Sequence, residues 1–206
     1  MTALPDYEVL DSRAGFTLVN HARRSIAAAL DDESAPDPPD DDRLRVERGA
    51  FVTIEKDGDL RGCIGRPTPK RPLAITVGEV AVAAATDDPR FPPMDAEELD
   101  DAMITVSVLT HPETIDAADT SDYLDAIEVG RDGLIVEQGS RRGLLLPQVA
   151  VDNDWTAQKF LIETCRKANL SGQAYDDPAT TVERFSAQTF SEKWPSGEIT
   201  QRNYIE

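Results

Sequence analysis

Two cysteines and two histidines in 206 residues exclude more chemistry than any other feature of the composition. Cys63 and Cys165 lie on dissimilar segments, so they build neither a disulfide framework nor a metal-ligand spacing. No metal and no cofactor is expected. His21 and His111 fall in no Ser-His-Asp or Cys-His pattern. No Gly-rich phosphate loop occurs. No run of about eighteen apolar residues is present, so no membrane-spanning helix is expected. Residues Met1 to Asp6 lack the basic-then-apolar pattern of a secretory leader. A reducing cytoplasm is the expected setting.

Positive charge is the other shortage. Lys and Arg total 21 against 39 Asp and Glu, which leaves a net charge of −18 and a pI near 4.4. Such a field repels phosphate backbones, so nucleic acid is an unfavourable partner. The acids are spread along the chain rather than gathered on one element. That distribution favours a solvated acidic surface of the halophilic kind, tolerable under strong screening, over a patch for one cationic partner.

What the sequence does offer centres on Leu60-Arg61-Gly62-Cys63-Ile64-Gly65. Phe51 to Glu55 reads as a strand, Lys56-Asp57-Gly58-Asp59 carries the Asp-Gly hairpin signal, and Leu60 opens the return strand. Alternation puts Leu60, Gly62 and Ile64 on one face, claimed for the core. Arg61, Cys63 and Gly65 then share the other. A guanidinium beside Cys63 is expected to favour thiolate, while a small buried hydrophobe is the plainer reading of the same residue. The glycines suit close approach of a backbone or ligand.

Upstream, Ser12 to Leu30 has helical periodicity, and Asp31 to Asp42 is an acidic, proline-rich loop. Downstream, Thr68 is placed to cap a helix beginning at Pro69 and ending at Asp87-Asp88-Pro89. Arg90-Phe91-Pro92-Pro93-Met94 is a rigid extended strap, suited to carboxylate or phosphate recognition or to an internal ion pair. Asp95 with Glu98 forms a capping-box pattern. Met103 to Leu109 reads as a strand. Ile127 to Val129, Leu134 to Gln138 and Gly143 to Leu146 read as a meander. Trp155 to Ala168 is a second helix with Cys165 on its apolar stripe. Val182 to Phe190 reads as one strand, and Gly197 to Ile199 begins another.

The hexapeptide resembles the signature of the AMMECR domain family. Further matches follow in order at Asp88 to Met94, Ile104 to Leu109, Glu128-Val129-Gly130 with Gly133-Leu134, and Leu146 to Ala150 before Trp155. The likeness implies an α+β fold of two lobes, with mainly antiparallel sheets flanked by helices. It implies a larger lobe near 1–102 and 147–206, a smaller one near 103–146, and a cleft between them beside the hexapeptide. It also implies a bacterial and archaeal system in which this domain occurs alongside Memo-type and radical-SAM proteins. Two functions are carried forward. In the first, a small molecule or partner segment is bound through Arg61, Gly62, Ile64, Gly65, Arg90 and Phe91. In the second, Cys63 is a catalytic nucleophile, with Arg61 and Arg90 orienting an anionic substrate. Neither reading fixes the ligand or the oligomeric state.

Overall fold

The computed structural model describes residues 9–68 and 70–203. The chain divides into two compact units, one running to Leu109 and resuming over Gln188–Asn203, the other spanning Thr110–Ala187. Each is α+β, with an antiparallel sheet backed by helices.

The first unit grows from a hairpin of β1 (Ala50–Lys56) and β2 (Asp59–Arg66). Asp57 and Gly58 have φ of 56° and 85°. Two successive left-handed residues give the primed turn whose twist matches the flanking strands, which is why Asp-Gly stands there. β3 (Ala102–Leu109) pairs along the other side of β1, with Val52 opposite Val106 and Ile54 opposite Ile104. β8 (Ala187–Glu192) and β9 (Ile199–Asn203) complete the order β2-β1-β3-β8-β9. Helix α1 (Ser12–Leu30) starts where the Asp11 carboxylate accepts the Ala14 N–H at 2.8 Å. Helix α2 (Leu73–Thr86) packs on α1 and on the hairpin. Leu18, Ile26, Val52, Ile54, Val77, Ile104 and Phe190 are fully buried in this core. Each such side chain contributes about 1.5–3 kcal/mol of burial.

Within this unit Arg23 grips Glu192 through two nitrogens at 2.8 and 2.6 Å and also donates to the carbonyls of Leu99 and Ala102. Glu192 accepts the Ile104 N–H as well. The buried charge is thus fully satisfied and ties α1 to the sheet. His21 is buried against Gly78 of α2. Helix α2 begins at Leu73 rather than Pro69, because the Val46 carbonyl accepts the Leu73 N–H at 2.8 Å. Pro69 lies outside the described residues. Asp95 and Glu98 form their capping box on α3 (Ala96–Leu99).

The second unit holds β4 (Glu113–Thr114), α4 (Thr120–Ala126), β5 (Gly133–Gln138), β6 (Arg141–Leu145), α5 (Pro147–Asp152), α6 (Ala157–Lys167) and β7 (Thr181–Phe185), in sheet order β4-β7-β5-β6. Phe160, Leu161 and Cys165 of α6 pack with Leu134 and Val136. Cys165 is fully buried, as its place on the apolar stripe required.

Several sequence expectations need correction here. Ile127 to Val129 is not a strand; Glu128 instead closes a loop in which the buried Asp132 accepts its N–H at 2.8 Å. Val182 to Phe190 is two strands in different sheets, broken at Ser186, whose N–H donates to Thr110 Oγ1. The units divide near residues 109 and 188, not at 102 and 147. Two facts move the boundary: the 102–109 strand is zipped to β1, and α6 lies on β5 and β6.

Candidate functional site

The candidate site is built around an irregularity in β2. Ile54 opposes Gly62 but Glu55 opposes Leu60, so Arg61 is an extra, bulged residue. The bulge shifts the alternation by one. Leu60 leaves the core face expected for it and is 40 % exposed, while Gly62 and Ile64 keep theirs. Arg61 turns away from Cys63. Its guanidinium grips Glu98 at 3.1 and 2.9 Å and donates to the carbonyls of Pro92 and Pro93. That clamp, with the Asp95 N–H, draws the Glu98 carboxyl down to about 2.

Cys63 sits on the outer strand of the sheet, where backbone groups would otherwise go unpaired. Asp88 and Arg90 supply the missing neighbour with side chains. The Cys63 N–H donates to Asp88 Oδ2 at 2.8 Å, and the Cys63 carbonyl accepts from Arg90 Nη2 at 3.2 Å. Asp88 and Arg90 are joined by two further bonds of 2.9 and 2.6 Å, and the Arg90 N–H donates to the same carboxylate. The Asp88 side chain is 2 % exposed, so this is a buried carboxylate with every oxygen occupied. Arg90 first, then the two backbone donors, hold its carboxyl well below the usual carboxylate range.

The Cys63 thiol faces Thr53 across the hairpin and accepts its hydroxyl at 3.3 Å. Burial pushes the thiol up, and the Thr53 hydroxyl and Arg90 only partly oppose it. The guanidinium expected to favour the thiolate, that of Arg61, is engaged by Glu98 instead. Thr53 continues into a polar row: it pairs with Thr105, whose Oγ1 lies 2.7 Å from Ser191 Oγ.

The strap places Phe91 between two guanidiniums, Arg61 at 6.0 Å and Arg90 at 5.5 Å from the ring centre. Half of the Arg90 side chain is exposed, and its Nη1 has no hydrogen-bond partner among the described residues. The glycines serve the fold. A Cβ on Gly62 would overlap the Ala84 carbonyl of α2, and one on Gly65 would overlap the Phe51 ring. Ile64 packs against the core. The structure therefore gathers Arg61 and Arg90 at Phe91, with Arg90 also on the Cys63 carbonyl, while Gly62 and Ile64 face the core and Gly65 meets the Phe51 ring.

Two residues escaped the candidate set. Asp88 is the hub, and its signal was present: Asp-Pro-Arg is an Asx-turn pattern in which the carboxylate accepts the N–H two residues on. Glu98 was read only as a helix cap. His21 is not placed as a base, since it packs on Gly78 of α2, and His111 lies in the second unit. Among the described residues no group of three or more His, Cys, Asp or Glu side chains is arranged to hold a metal ion. Nor is any helix long and apolar enough to cross a membrane.

The AMMECR1 family model matches residues 19–190. The chain belongs to the AMMECR1 family. It is 51 % identical over 188 residues to a protein of Methanothermobacter thermautotrophicus, covering 90 % of this chain and 98 % of that one. A Thermofilum pendens protein is 46 % identical over 205 residues, covering 94 % and 96 %. The crystal structure of the uncharacterized protein PH0010 from Pyrococcus horikoshii superposes with a TM-score of 0.90 at 42 % identity, covering 94 % of this chain and 98 % of that one. The Asp88–Arg90 clamp and the hexapeptide both fall inside the span matched by the AMMECR1 family model.

Proposed function

We propose that the protein is a binding module. Its ligand surface is the Arg90–Phe91 strap beside Cys63, and it grips the anionic group of a small molecule or of a partner's segment. The observation that carries this reading is Arg90 itself. Asp88 and the Cys63 carbonyl fix its guanidinium, while Nη1 stays free on a half-exposed side chain. A guanidinium held before a ligand arrives loses little freedom on binding a carboxylate or phosphate. The partly exposed ring of Phe91 adds an apolar shelf beside it.

A thiol nucleophile is less well supported. Burial raises the Cys63 thiol, and catalysis by cysteine needs a lowered thiol or a base within reach.

The test uses phenyl phosphate and benzoate as probes, read by amide and guanidinium NMR shifts at Arg90 and Phe91. Cys63→Ala should retain binding and Arg90→Gln should lose it. Native Cys63 should also alkylate more slowly at neutral pH than a free thiol with a pKa of about 8.5. Fast alkylation, together with no shift at Arg90 from either anion, would overturn the reading in favour of thiol chemistry.

A further inference from the structure

Two of the sheet edges are blunted. In the first unit β2 is bulged at Arg61 and plugged at Cys63 by Asp88 and Arg90, and in the second unit β4 is only two residues long. The opposite edge of the second sheet, β6, carries neither device. Its ladder with β5 runs from Gln138–Arg141 to Leu134–Leu145 without a shift of register. The turn decides which backbone groups face outward. Gly139, with φ of 62°, and Ser140 make a two-residue hairpin loop, so Gln138 and Arg141 are the bonded pair that closes it. Alternation then turns Gly143 and Leu145 toward β5. The N–H and C=O of Arg142 and Leu144 point away from the sheet. None of these four groups has a hydrogen-bond partner among the described residues.

The second observation is charge. Arg141 is exposed and touches no carboxylate among the described residues; its Nη1 donates to the Asn169 carbonyl at 3.4 Å. Lys167 ends α6 against this strand, since a Cβ on Gly143 would overlap the Lys167 carbonyl carbon. It too is exposed and outside any ion pair among the described residues, whereas Lys159 and Arg166 of the same helix both hold Glu163. Arg142, on the other face, approaches Glu137 and Glu183 only to 3.6 and 3.8 Å. In a chain of net charge −18, an unpaired strand edge is thus rimmed by cations on both faces.

We propose that the β6 edge takes up an extended, acidic segment of a partner protein as a fifth strand of this sheet. Main-chain bonds to Arg142 and Leu144 would register it. Its side chains would alternate between the two faces, so successive acids meet Arg141 and Lys167 on one and Arg142 on the other. A second copy of this chain fits worse, because it brings two strongly negative molecules and the same arginines together. A nucleic acid would answer the cations but offers no row of N–H donors to the outward carbonyls. The proposal uses residues of the second unit alone and does not depend on the strap surface.

The probes are capped Glu-Glu-Val-Glu-Glu, its Gln-Gln-Val-Gln-Gln counterpart, and the Glu peptide methylated at every backbone nitrogen. Binding is followed at low salt through amide shifts and hydrogen exchange at Arg142 and Leu144. Both amides should exchange rapidly in the free protein and at least about tenfold more slowly with the Glu peptide bound, at a dissociation constant on the order of a millimolar. The Gln peptide should bind about tenfold more weakly and the methylated peptide not at all. Leu144→Pro removes an outward N–H that the β5 ladder does not use, and should weaken the Glu peptide about tenfold. Arg141→Gln with Lys167→Gln should do the same while leaving the backbone of β6 intact, so it decides the matter if the proline disturbs the fold. Amides already protected in the free monomer, equal binding of the Glu and Gln peptides, or undiminished binding of the methylated peptide would overturn the proposal. So would an unchanged affinity in the Arg141→Gln, Lys167→Gln protein. Concentration-dependent dimerisation that protects the same amides would give the edge to a second copy instead, and oligouridylate binding more tightly than the Glu peptide would give it to a nucleic acid.

Discussion

Asp88 Oδ2 accepts the Cys63 backbone N–H at 2.8 Å while the same carboxylate is clamped by the Arg90 guanidinium. A loop side chain thereby does the work of a neighbouring strand, and it closes the sheet edge at that point. Removing it leaves a backbone donor, a guanidinium and a strap unanchored together. Asp88→Ala should cost about 3 kcal/mol, below the upper range for buried pairs because Arg90 is half exposed and can turn to water. The carboxyl is more acidic in the fold than in the unfolded chain. Its stabilisation is therefore complete above the unfolded pKa of about 3.9 and is lost as pH falls through the lower folded value. Urea titrations of the wild type and of Asp88→Asn should differ above pH 4 and converge in stronger acid. A constant gap across that range would remove Asp88 from its assigned role.

The two glycines of the hexapeptide should respond differently to a methyl group. Gly62 is met by the Ala84 carbonyl, which cannot move without α2, whereas Gly65 is met by the Phe51 side chain. Gly62→Ala should lose about 3 kcal/mol and Gly65→Ala about 1–2 kcal/mol. Phe51→Ala should recover part of the Gly65→Ala loss but none of the Gly62→Ala loss. Denaturation midpoints of the three single variants, and of Phe51→Ala combined with each glycine change, form the cycles that check this. Equal costs for the two glycines would show that α2 yields as readily as a side chain.

Local chemistry explains why the β1–β2 hairpin, α1 and the capping box were legible. Turn residues, caps and apolar periodicity act within a few positions of themselves. What escaped is set by distant partners. The Arg61 bulge follows from how Ile54 and Glu55 pair across the hairpin, and it alone flips Leu60 outward. The start of α2 is fixed by the Val46 carbonyl, out of reach of any local signal around Thr68. Asp88 and Arg90 are two residues apart, so their pairing was readable. Arg61 and Glu98 are not near in sequence, and their ion pair removes the charge that was expected to activate Cys63. The thiol's own shift is a burial effect, which no sequence window contains.

His21 supplies a pH dependence in a different window from Asp88. Burial first, then the nearby Arg24 charge, lowers its pKa, although the imidazole donates to the Ala74 carbonyl. Nδ1 has no partner among the described residues, so the neutral ring is the form that fits between α1 and α2. The unfolded chain then binds a proton that the fold resists. Stability should be unaffected above the unfolded pKa of about 6.5 and should decline as pH falls toward the lower folded value. His21→Gln should remove that decline while leaving the acid loss assigned to Asp88. Unfolding free energies of both proteins between pH 7 and pH 5 would decide it, and parallel curves would rule His21 out as the source.

The net charge of −18 gives the last prediction. Asp31, Asp32, Glu33 and Asp37 are exposed in the loop after α1, and none of them belongs to an ion pair among the described residues. Arginines elsewhere are largely engaged, so few are left to neutralise such groups. Arg43 is divided between Asp11 and Asp41, and both Arg66 and Arg71 are turned to Glu79. Uncompensated carboxylates repel most strongly in the compact state, and salt screens that repulsion over about 10 Å at 0.1 M and about 3 Å at 1 M. Tm should therefore rise on the order of 5 °C between dilute buffer and molar potassium chloride. The rise should shrink when several of the loop acids are changed to Asn or Gln, because each removes repulsion that salt would otherwise screen. Strongly paired sites such as Arg61–Glu98 work in the opposite direction, since screening weakens attraction too. A Tm that is flat or falling with salt would mean that these attractions outweigh the dispersed acids, and the acidic composition would then need another explanation.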